Sequence, residues 1–586
     1  MASLTNYSDR FAGLPPADRR LLRSMAAVAL VALVLGVLAG LATALVRGGV
    51  LRVNLATAYQ FLTVHGVSIF FYWLFTAQAA LLLGFAAVER GRPLAWPRLA
   101  WTGLALLLAG FGLSSAGALM GTPLLYDGAP DLARDNPRAL LVFNLGYVSL
   151  ALALVALPAC AIVTLLRPRW HGLPERISAA PGRPQAGAHR SSLSEAGAHH
   201  SLQGAGTPMG ATSFALFAWA GFLMVTGFAA LYTFVPGVLW ALGAGPFPAS
   251  HGTRWHIVFH NLHYLPLMAT VVLWYVLMQY LTGVKSVFGD RFSKIVFSMY
   301  LVFVPPTSLY HMFLEPDLPR VVQVAGSVLS LFVSVPTLTA FLIIVASLEV
   351  HARAEGGRGL FGWIRLLPWR HPSMAALGVA VLSMGFGLVF AFVLIQSQLA
   401  PLLSDTFFVP GYFHFFTLGT VSLTLLAALA VLLPAIGGRA LWRPGLLRWM
   451  PWLAFAGLLL FGAAGITAGY MGVPRRVMDA SYQNQAPALW RTLMAIVALG
   501  AATMATGLTV FAAGIGASLW PRRAAVPSAA RLTVSWGGSA VAAGYTAWVG
   551  PLAVLVIVFA MYAFSALGFE LMQALPVSVT GSGAGH

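Results

Sequence analysis

Thirteen long apolar stretches determine what this chain can fold into. Each has about 20 or more mostly apolar residues, the length that an α-helix needs to cross about 30 Å of hydrocarbon. In lipid, every backbone N–H and C=O must be bonded within the protein, and a helix achieves this inside a single stretch. We therefore predict an all-α integral membrane protein, a bundle of about thirteen transmembrane helices forming one domain over residues 1–586. The predicted spans are 24–46, 57–85, 99–121, 139–166, 212–243, 255–283, 292–314, 322–349, 373–398, 407–436, 449–471, 487–520 and 541–570.

Composition and charge agree with a membrane protein and predict its orientation. The chain is 59% hydrophobic and only 9% charged, with a mean hydropathy of +0.82, far from the soluble range. Of the 34 Lys and Arg, 25 fall on the side of the N-terminus and 9 on the other when the connections alternate. The positive-inside rule then places the N-terminus in the cytoplasm and the C-terminus in the periplasm of a bacterial inner membrane. The net charge of +18 thus indicates orientation and not a nucleic-acid partner.

Three further features bear on the domain organisation. The first span follows four arginines and is about 23 residues long, longer than a signal-peptide core, so we expect it to be retained. Residues 167–213 are rich in Gly, Ala, Ser and Pro and predict a flexible cytoplasmic loop. The single cysteine, Cys160, lies in an apolar run, where it can form no intrachain disulfide and is interpreted as packing.

Histidines within the spans are the strongest functional signal. Ionisable residues inside a membrane are costly, and they indicate function unless a hydrogen bond to a neighbouring helix explains them. At about 1.5 Å per residue, four histidines from four spans lie within roughly 12 Å of the outer surface. Imidazole is a ligand of haem iron and of copper, so this shared depth favours a redox-metal site. The four are His65, His260, His311 and His414, and His256 and His263 also lie in the sixth span.

Two short stretches on the outer side complete the pattern. In "VPGYFHFF" (409–416), proline suits the first turn of a helix and Gly411 is expected to allow the close approach of a flat ring. In "VPRR" (473–476), Arg475 and Arg476 present adjacent guanidinium groups, which suit bidentate pairing with carboxylates such as haem propionates.

Taken together, these motifs resemble subunit I of the haem-copper oxidases, in particular the B family with thirteen spans. The resemblance covers nearly all the predicted spans. Its stretches are "YQFLTVHG" (59–66), "HNLHY" (260–264), "YHMFLEP" (310–316), "SVLSLFVSVPTLTAF" (327–341), "GGRGLFGWIRLLPW" (356–369), "VPGYFH" (409–414) and "VPRR" (473–476).

For a low-spin haem, the resemblance implies a complete set of ligands. His65 in the second span and His414 in the tenth correspond to its two axial histidines, and Arg475 and Arg476 to the residues that bind its propionates. We expect this haem to be of b type.

For the oxygen-reducing centre, the resemblance implies several further roles. His260 corresponds to a copper ligand and Tyr264 to the tyrosine covalently joined to it. Tyr275, Ser327 and Ser330 correspond to polar residues that carry protons inward from the cytoplasm.

The chain departs from the family pattern at two positions of that centre. The family's adjacent pair of copper-ligating histidines is Tyr310-His311 here. The axial ligand of the oxygen-binding haem, the first histidine of an H-F-H motif, is Tyr412. Whether a second haem and copper bind therefore stays open.

Three functions are compatible with these residues. In the first, electrons pass through the low-spin haem to an altered oxygen-reducing centre, where Tyr412 ligates iron as tyrosine does in catalases. Copper would then use alternative ligands, which are His256, His263 and Tyr310. In the second, the protein resembles a nitric oxide reductase, and in the third it is a one-haem carrier or a non-catalytic subunit. For a catalytic protein we expect a partner like subunit II that carries periplasmic copper or a cytochrome.

Overall fold

The computed structural model describes residues 7–120, 124–167, 210–284, 286–303, 320–394, 399–479, 481–482 and 485–519, without the side chains of 7–9, 132, 253, 256–257, 263, 303 and 320–334. The described chain consists of helices and loops, with one isolated β-bridge between Thr406 and Pro474. Twelve helices there have 15 or more residues. They are α1 (Pro16–Arg47), α2 (Leu55–Arg90), α3 (Pro97–Ala118), α4 (Pro137–Leu166), α5 (Ala211–Ala241), α6 (His251–Thr282), α7 (Gly289–Phe303), α8 (Arg320–Ala354), α9 (Pro372–Leu394), α10 (Phe408–Gly437), α11 (Met450–Tyr470) and α12 (Ala488–Gly516).

The predicted all-α membrane fold is confirmed. In the described part, eleven helices are long and apolar enough to cross a membrane, and they correspond to all the predicted spans except the seventh and thirteenth. Helix α7 covers the start of the seventh, whereas 541–570 and nearly all of the predicted loop 167–213 lie outside the described residues.

Two helices begin before the membrane spans that were predicted from the apolar runs. Helix α1 begins at Pro16, not near residue 24, because proline is favoured in the first helical turn and the arginines there continue the helix beyond the apolar run. Helix α5 begins at Ala211, inside the predicted loop, where the apolar pattern has already started.

Helices α2 and α10 form the centre of the bundle. In each, 94% of the most apolar stretch is buried. Buried indole groups connect them to their neighbours: the Trp73 Nε1 of α2 donates to the Ser422 Oγ of α10 at 2.9 Å, and Trp274 Nε1 of α6 donates to Thr424 Oγ1 at 2.9 Å. Because polar groups buried among apolar side chains must be paired, these bonds set which faces of the central helices meet.

The same two helices each contain a π-helical segment. In α2 it covers Val67–Trp73, directly after an α-helical part that ends at Gly66. In α10 it covers Phe415–Ser422, directly after His414. Wide π turns are rare in proteins, and those that occur are often at functional sites. Here both follow a histidine that the sequence singled out.

The bond between Trp73 and Ser422 can be tested by substitution. Ser422→Ala leaves the buried indole N–H without its acceptor, so we expect the free energy of unfolding to fall by about 1–3 kcal/mol. Thermal unfolding of the detergent-purified protein would measure this change. Ser149→Ala is the matched control, because that hydroxyl bonds only to Leu145 O in its own helix; equal shifts in both variants would contradict the assignment.

Candidate cofactor site

A cavity of 190 Å³ lies between the two central helices and helices α1, α11 and α12. Its polar lining is contributed mainly by two histidines, three arginines and a tyrosine, and most of the other lining residues are apolar. These polar residues are His65, His414, Arg47, Arg475, Arg476 and Tyr126, and Thr43, Thr417 and Ser422 add hydroxyl groups. The apolar residues include Leu33, Val37, Ile69, Phe70, Phe413, Leu418, Phe461 and Leu508. Such a lining suits a large apolar molecule that carries negative charge at one edge.

The cavity brings together His65 of α2 and His414 of α10. Their ring centres are 6.3 Å apart and their planes differ by only 4°. Two collinear metal–nitrogen bonds of about 2.0–2.1 Å, with roughly 1.1 Å from each nitrogen to its ring centre, span about 6.3 Å. The spacing therefore fits two imidazoles that share one metal ion.

Backbone carbonyls determine which nitrogen each ring offers. Nδ1 of His65 lies 2.8 Å from Gly36 O, and Nδ1 of His414 lies 2.7 Å from Pro410 O. A carbonyl oxygen only accepts, so each Nδ1 donates its proton, and in the neutral ring Nε2 keeps its lone pair. The same arrangement orients metal-binding histidines in general.

Close helix packing holds His65 in this position. A Cβ on Gly40 of α1 would lie 2.5 Å from the Nδ1 atom of His65, so only glycine leaves room for the ring. The expectation for Gly411 was wrong: a Cβ there would meet the α11 backbone, 2.6 Å from Ile466 N. Gly411 thus lets two helices approach each other and does not accommodate a flat ring.

The predicted arginine pair lines the polar part of the cavity. Arg475 forms an ion pair with Asp405 at 2.8 Å, and Arg476 donates to Tyr126 Oη at 3.3 Å. Burial lowers the pKa of Arg476, but the nearby Tyr126 and Asp127 outweigh burial and hold it above its ordinary value. The guanidinium group of Arg476 therefore stays charged at any physiological pH.

Arg47 also lines the cavity, although the sequence did not predict a role for it. It ends α1 and had been counted only as one of the positive charges that set the orientation.

The residues predicted for the oxygen-reducing centre lie elsewhere. His260 is buried, and its ring lies nearly parallel to that of Tyr264 at 5.8 Å. Tyr412 does not line the cavity; it is close enough to Tyr264 to interact electrostatically. Tyr310 and His311 lie outside the described residues, as do the side chains of His256 and His263. The part of the chain that is described contains no group of three or more metal-binding side chains.

Tyr275 takes part in a chain of hydroxyl groups. Its Oη donates to Ser293 Oγ at 3.1 Å, and Ser293 Oγ donates to Ser286 Oγ at 3.2 Å. Both serines were missed, because a single serine near a helix end carries no distinctive signal. The side chains of Ser327 and Ser330 are not described.

Fold and site together define a class: a multi-pass helical membrane protein with paired histidines that line a largely apolar cavity. A family model described as Cytochrome C and Quinol oxidase polypeptide I matches residues 20–503. The chain belongs to this family. It is a family of oxidoreductase subunits that typically bind haems and copper.

Individual relatives agree with this assignment. Cytochrome c oxidase subunit 1 of Thermus thermophilus is 33% identical over 249 residues, which make up 41% of this chain and 44% of that relative. The chain thus aligns with less than half the length of that relative. A chain of a heme-copper terminal oxidase dimer, determined by cryo-EM, shares the fold with a TM-score of 0.70 at 18% identity, covering 97% of this chain and 94% of its own.

The packing at Gly40 gives a prediction that does not depend on any ligand. Gly40→Ala forces the His65 ring away from Gly36 O, so we expect the free energy of unfolding to fall by about 1–3 kcal/mol. Gly221→Ala is the matched control, because a Cβ there meets nothing within 4 Å and alanine favours the helix. Thermal unfolding in detergent would compare them, and a neutral Gly40→Ala would show that His65 has free space.

Proposed function

We propose that this chain is an electron-transferring oxidase subunit that holds a low-spin b-type haem between His65 and His414. Electrons pass through this haem toward an oxygen-reducing centre with altered ligands. The observation that carries the proposal is the spacing of 6.3 Å between two nearly parallel imidazole rings.

The surroundings of the two rings support a haem over a bare metal ion. The apolar residues that line the cavity suit a porphyrin ring, while Arg475 and Arg476 suit its propionates. A haem bound there supplies one-electron transfer. With both imidazoles bound to the iron, His65 and His414 would leave no open position for oxygen.

The chain's own groups keep this site fixed and dry. The carbonyls of Gly36 and Pro410 hold both rings in one tautomer. Phe461 packs on His414 with ring centres 4.5 Å apart, which excludes water from that side of the ligand. A rigid, apolar environment reduces the reorganisation that electron transfer requires.

Oxygen reduction is assigned to a second centre on the other face of α10. His260, Tyr264 and Tyr412 are the described residues that would contribute to it, and the phenol of Tyr412 can ligate iron. One observation favours a one-haem carrier as the second candidate. On its own helix, the Tyr412 ring contacts Phe408, Phe413 and Phe416 with ring centres 5.8–6.3 Å away, as in ordinary aromatic packing.

We further propose that a subunit II-like partner delivers the electrons from the periplasm. The only cysteine, Cys160, is buried, so the described chain cannot build a dinuclear copper site, which needs thiolate ligands. In the predicted orientation, with the N-terminus in the cytoplasm, the loop of Arg475 and Arg476 lies on the periplasmic side, where the partner would bind.

The haem ligands can be tested by absorption spectroscopy. We expect His65→Ala and His414→Ala each to abolish the low-spin signal in the reduced-minus-oxidised spectrum, because a single imidazole no longer closes both axial positions. His351→Ala, a buried histidine on α8 that does not line the cavity, serves as the control. An unchanged spectrum in the His414 variant would overturn the assignment.

Carbon monoxide distinguishes the two candidate functions. For the altered oxidase, we expect the reduced protein to show a component shifted by carbon monoxide beside the unshifted low-spin component, and elemental analysis to find copper. A single low-spin component without any shift would instead identify a one-haem carrier.

A further inference from the structure

The end of α1 reaches the loop that carries the arginine pair. Arg47 is 5% exposed, and its guanidinium group donates hydrogen bonds to two successive backbone carbonyls. Nη2 donates to Pro474 O and Nη1 donates to Arg475 O, both at 2.5 Å. A planar guanidinium can hold two acceptors at once in a fixed geometry, which a lysine ammonium cannot reproduce.

The same loop is bound from its other side by the residues just before α10. Phe407 N donates to Val473 O at 2.7 Å, and Arg475 N donates to Asp405 O at 2.9 Å. These bonds leave the carbonyls of Pro474 and Arg475 for Arg47. The loop is therefore fixed between the end of α1 and the start of α10.

Arg47 is also connected to His414 indirectly, through two phenylalanine rings. Its guanidinium lies 4.6 Å above the centre of the Phe407 ring. Phe407 packs on Phe461 at 5.9 Å, and Phe461 packs on His414 at 4.5 Å. A change at Arg47 thus reaches both the arginine pair and an axial histidine.

The charge of Arg47 has no acidic partner in the described part of the chain. Its other polar contact is Tyr482 Oη at 3.5 Å. A buried cation is costly unless an anion compensates it. Because Arg47 lines the cavity, an occupant with a carboxylate edge would supply that compensation.

We propose that Arg47 is a positioning residue for this site, which fixes the loop of Arg475 and Arg476 against the start of α10 and adds a third positive charge to the cavity. This inference rests on the proposed haem function. It predicts an effect on cofactor binding and on the reduction potential, and not only on folding.

The test compares the full-length chain with R47Q, R47K and R52Q in the same membranes. Arg52 is an exposed arginine five residues further on, so R52Q removes the same charge without the contacts. We expect R47Q to lower haem affinity on the order of 10-fold to 100-fold, as for other groups that support a metal ligand. Its remaining haem should have a lower midpoint potential, because a nearby positive charge favours the reduced state. R47K should restore the potential but only part of the affinity, and R52Q should match the unchanged chain.

Two outcomes would overturn the proposal. One is an R47Q protein with the haem content and potential of R52Q. If R47Q fails to accumulate, R47K is used for the test. An R47K protein that elutes normally from a size-exclusion column but has reduced haem content supports the proposal, and full haem content overturns it.

A chain without any low-spin haem would refute the proposed function and the predicted effects on haem affinity and potential, but not the role of Arg47 in fixing the loop. The loop is then tested in the haem-free protein by limited trypsin digestion after Arg475 and Arg476. Faster cleavage there in R47Q than in R52Q supports the positioning role, and equal cleavage rates contradict it.

Discussion

The site depends on two hydrogen bonds from imidazole to backbone carbonyl, His65 to Gly36 and His414 to Pro410. Inside a membrane bundle, an imidazole without such a partner would turn toward any available acceptor and could offer either nitrogen. The two bonds give both rings the same tautomer and hold them nearly parallel. The close contact at Gly40, the arginine loop and the aromatic packing on His414 all serve to keep this pair in place.

Much of the fold was predictable because the bilayer imposes a simple length rule on apolar runs. Eleven predicted spans correspond to membrane-capable helices. Depth singled out four histidines, and the resemblance to the haem-copper oxidases selected His65 and His414 among them as a pair. Arg47 was missed because its partners are carbonyls of Pro474 and Arg475, more than 400 residues away in sequence. Every residue type has a backbone carbonyl, so a contact with such an acceptor cannot be recognised from the amino-acid sequence. Gly411 was misread for a related reason: a glycine shows that something approaches closely, but not what.

Two residues of α10 that are two positions apart in sequence, Tyr412 and His414, lie in different environments. His414 faces the cavity shared with α2, whereas Tyr412 packs among phenylalanines and is near Tyr264 of α6. Residues two apart are about 200° apart around a helix, so the two side chains face opposite sides of α10. A substitution at position 412 can therefore leave the histidine pair intact.

The π segments in α2 and α10 affect how such chains can be compared. A π turn holds one more residue than the corresponding α turn, so the remainder of the helix is rotated by about 100° relative to an uninterrupted helix. In an alignment with a relative that lacks the π turn, the two halves of this helix would both align only if a one-residue gap were placed between them. For the same reason, the apolar residues on one face of the helix no longer keep their α-helical spacing across Val67–Trp73 or Phe415–Ser422. Such a break in periodicity just after a membrane histidine is a sequence signal that can be searched for in other chains.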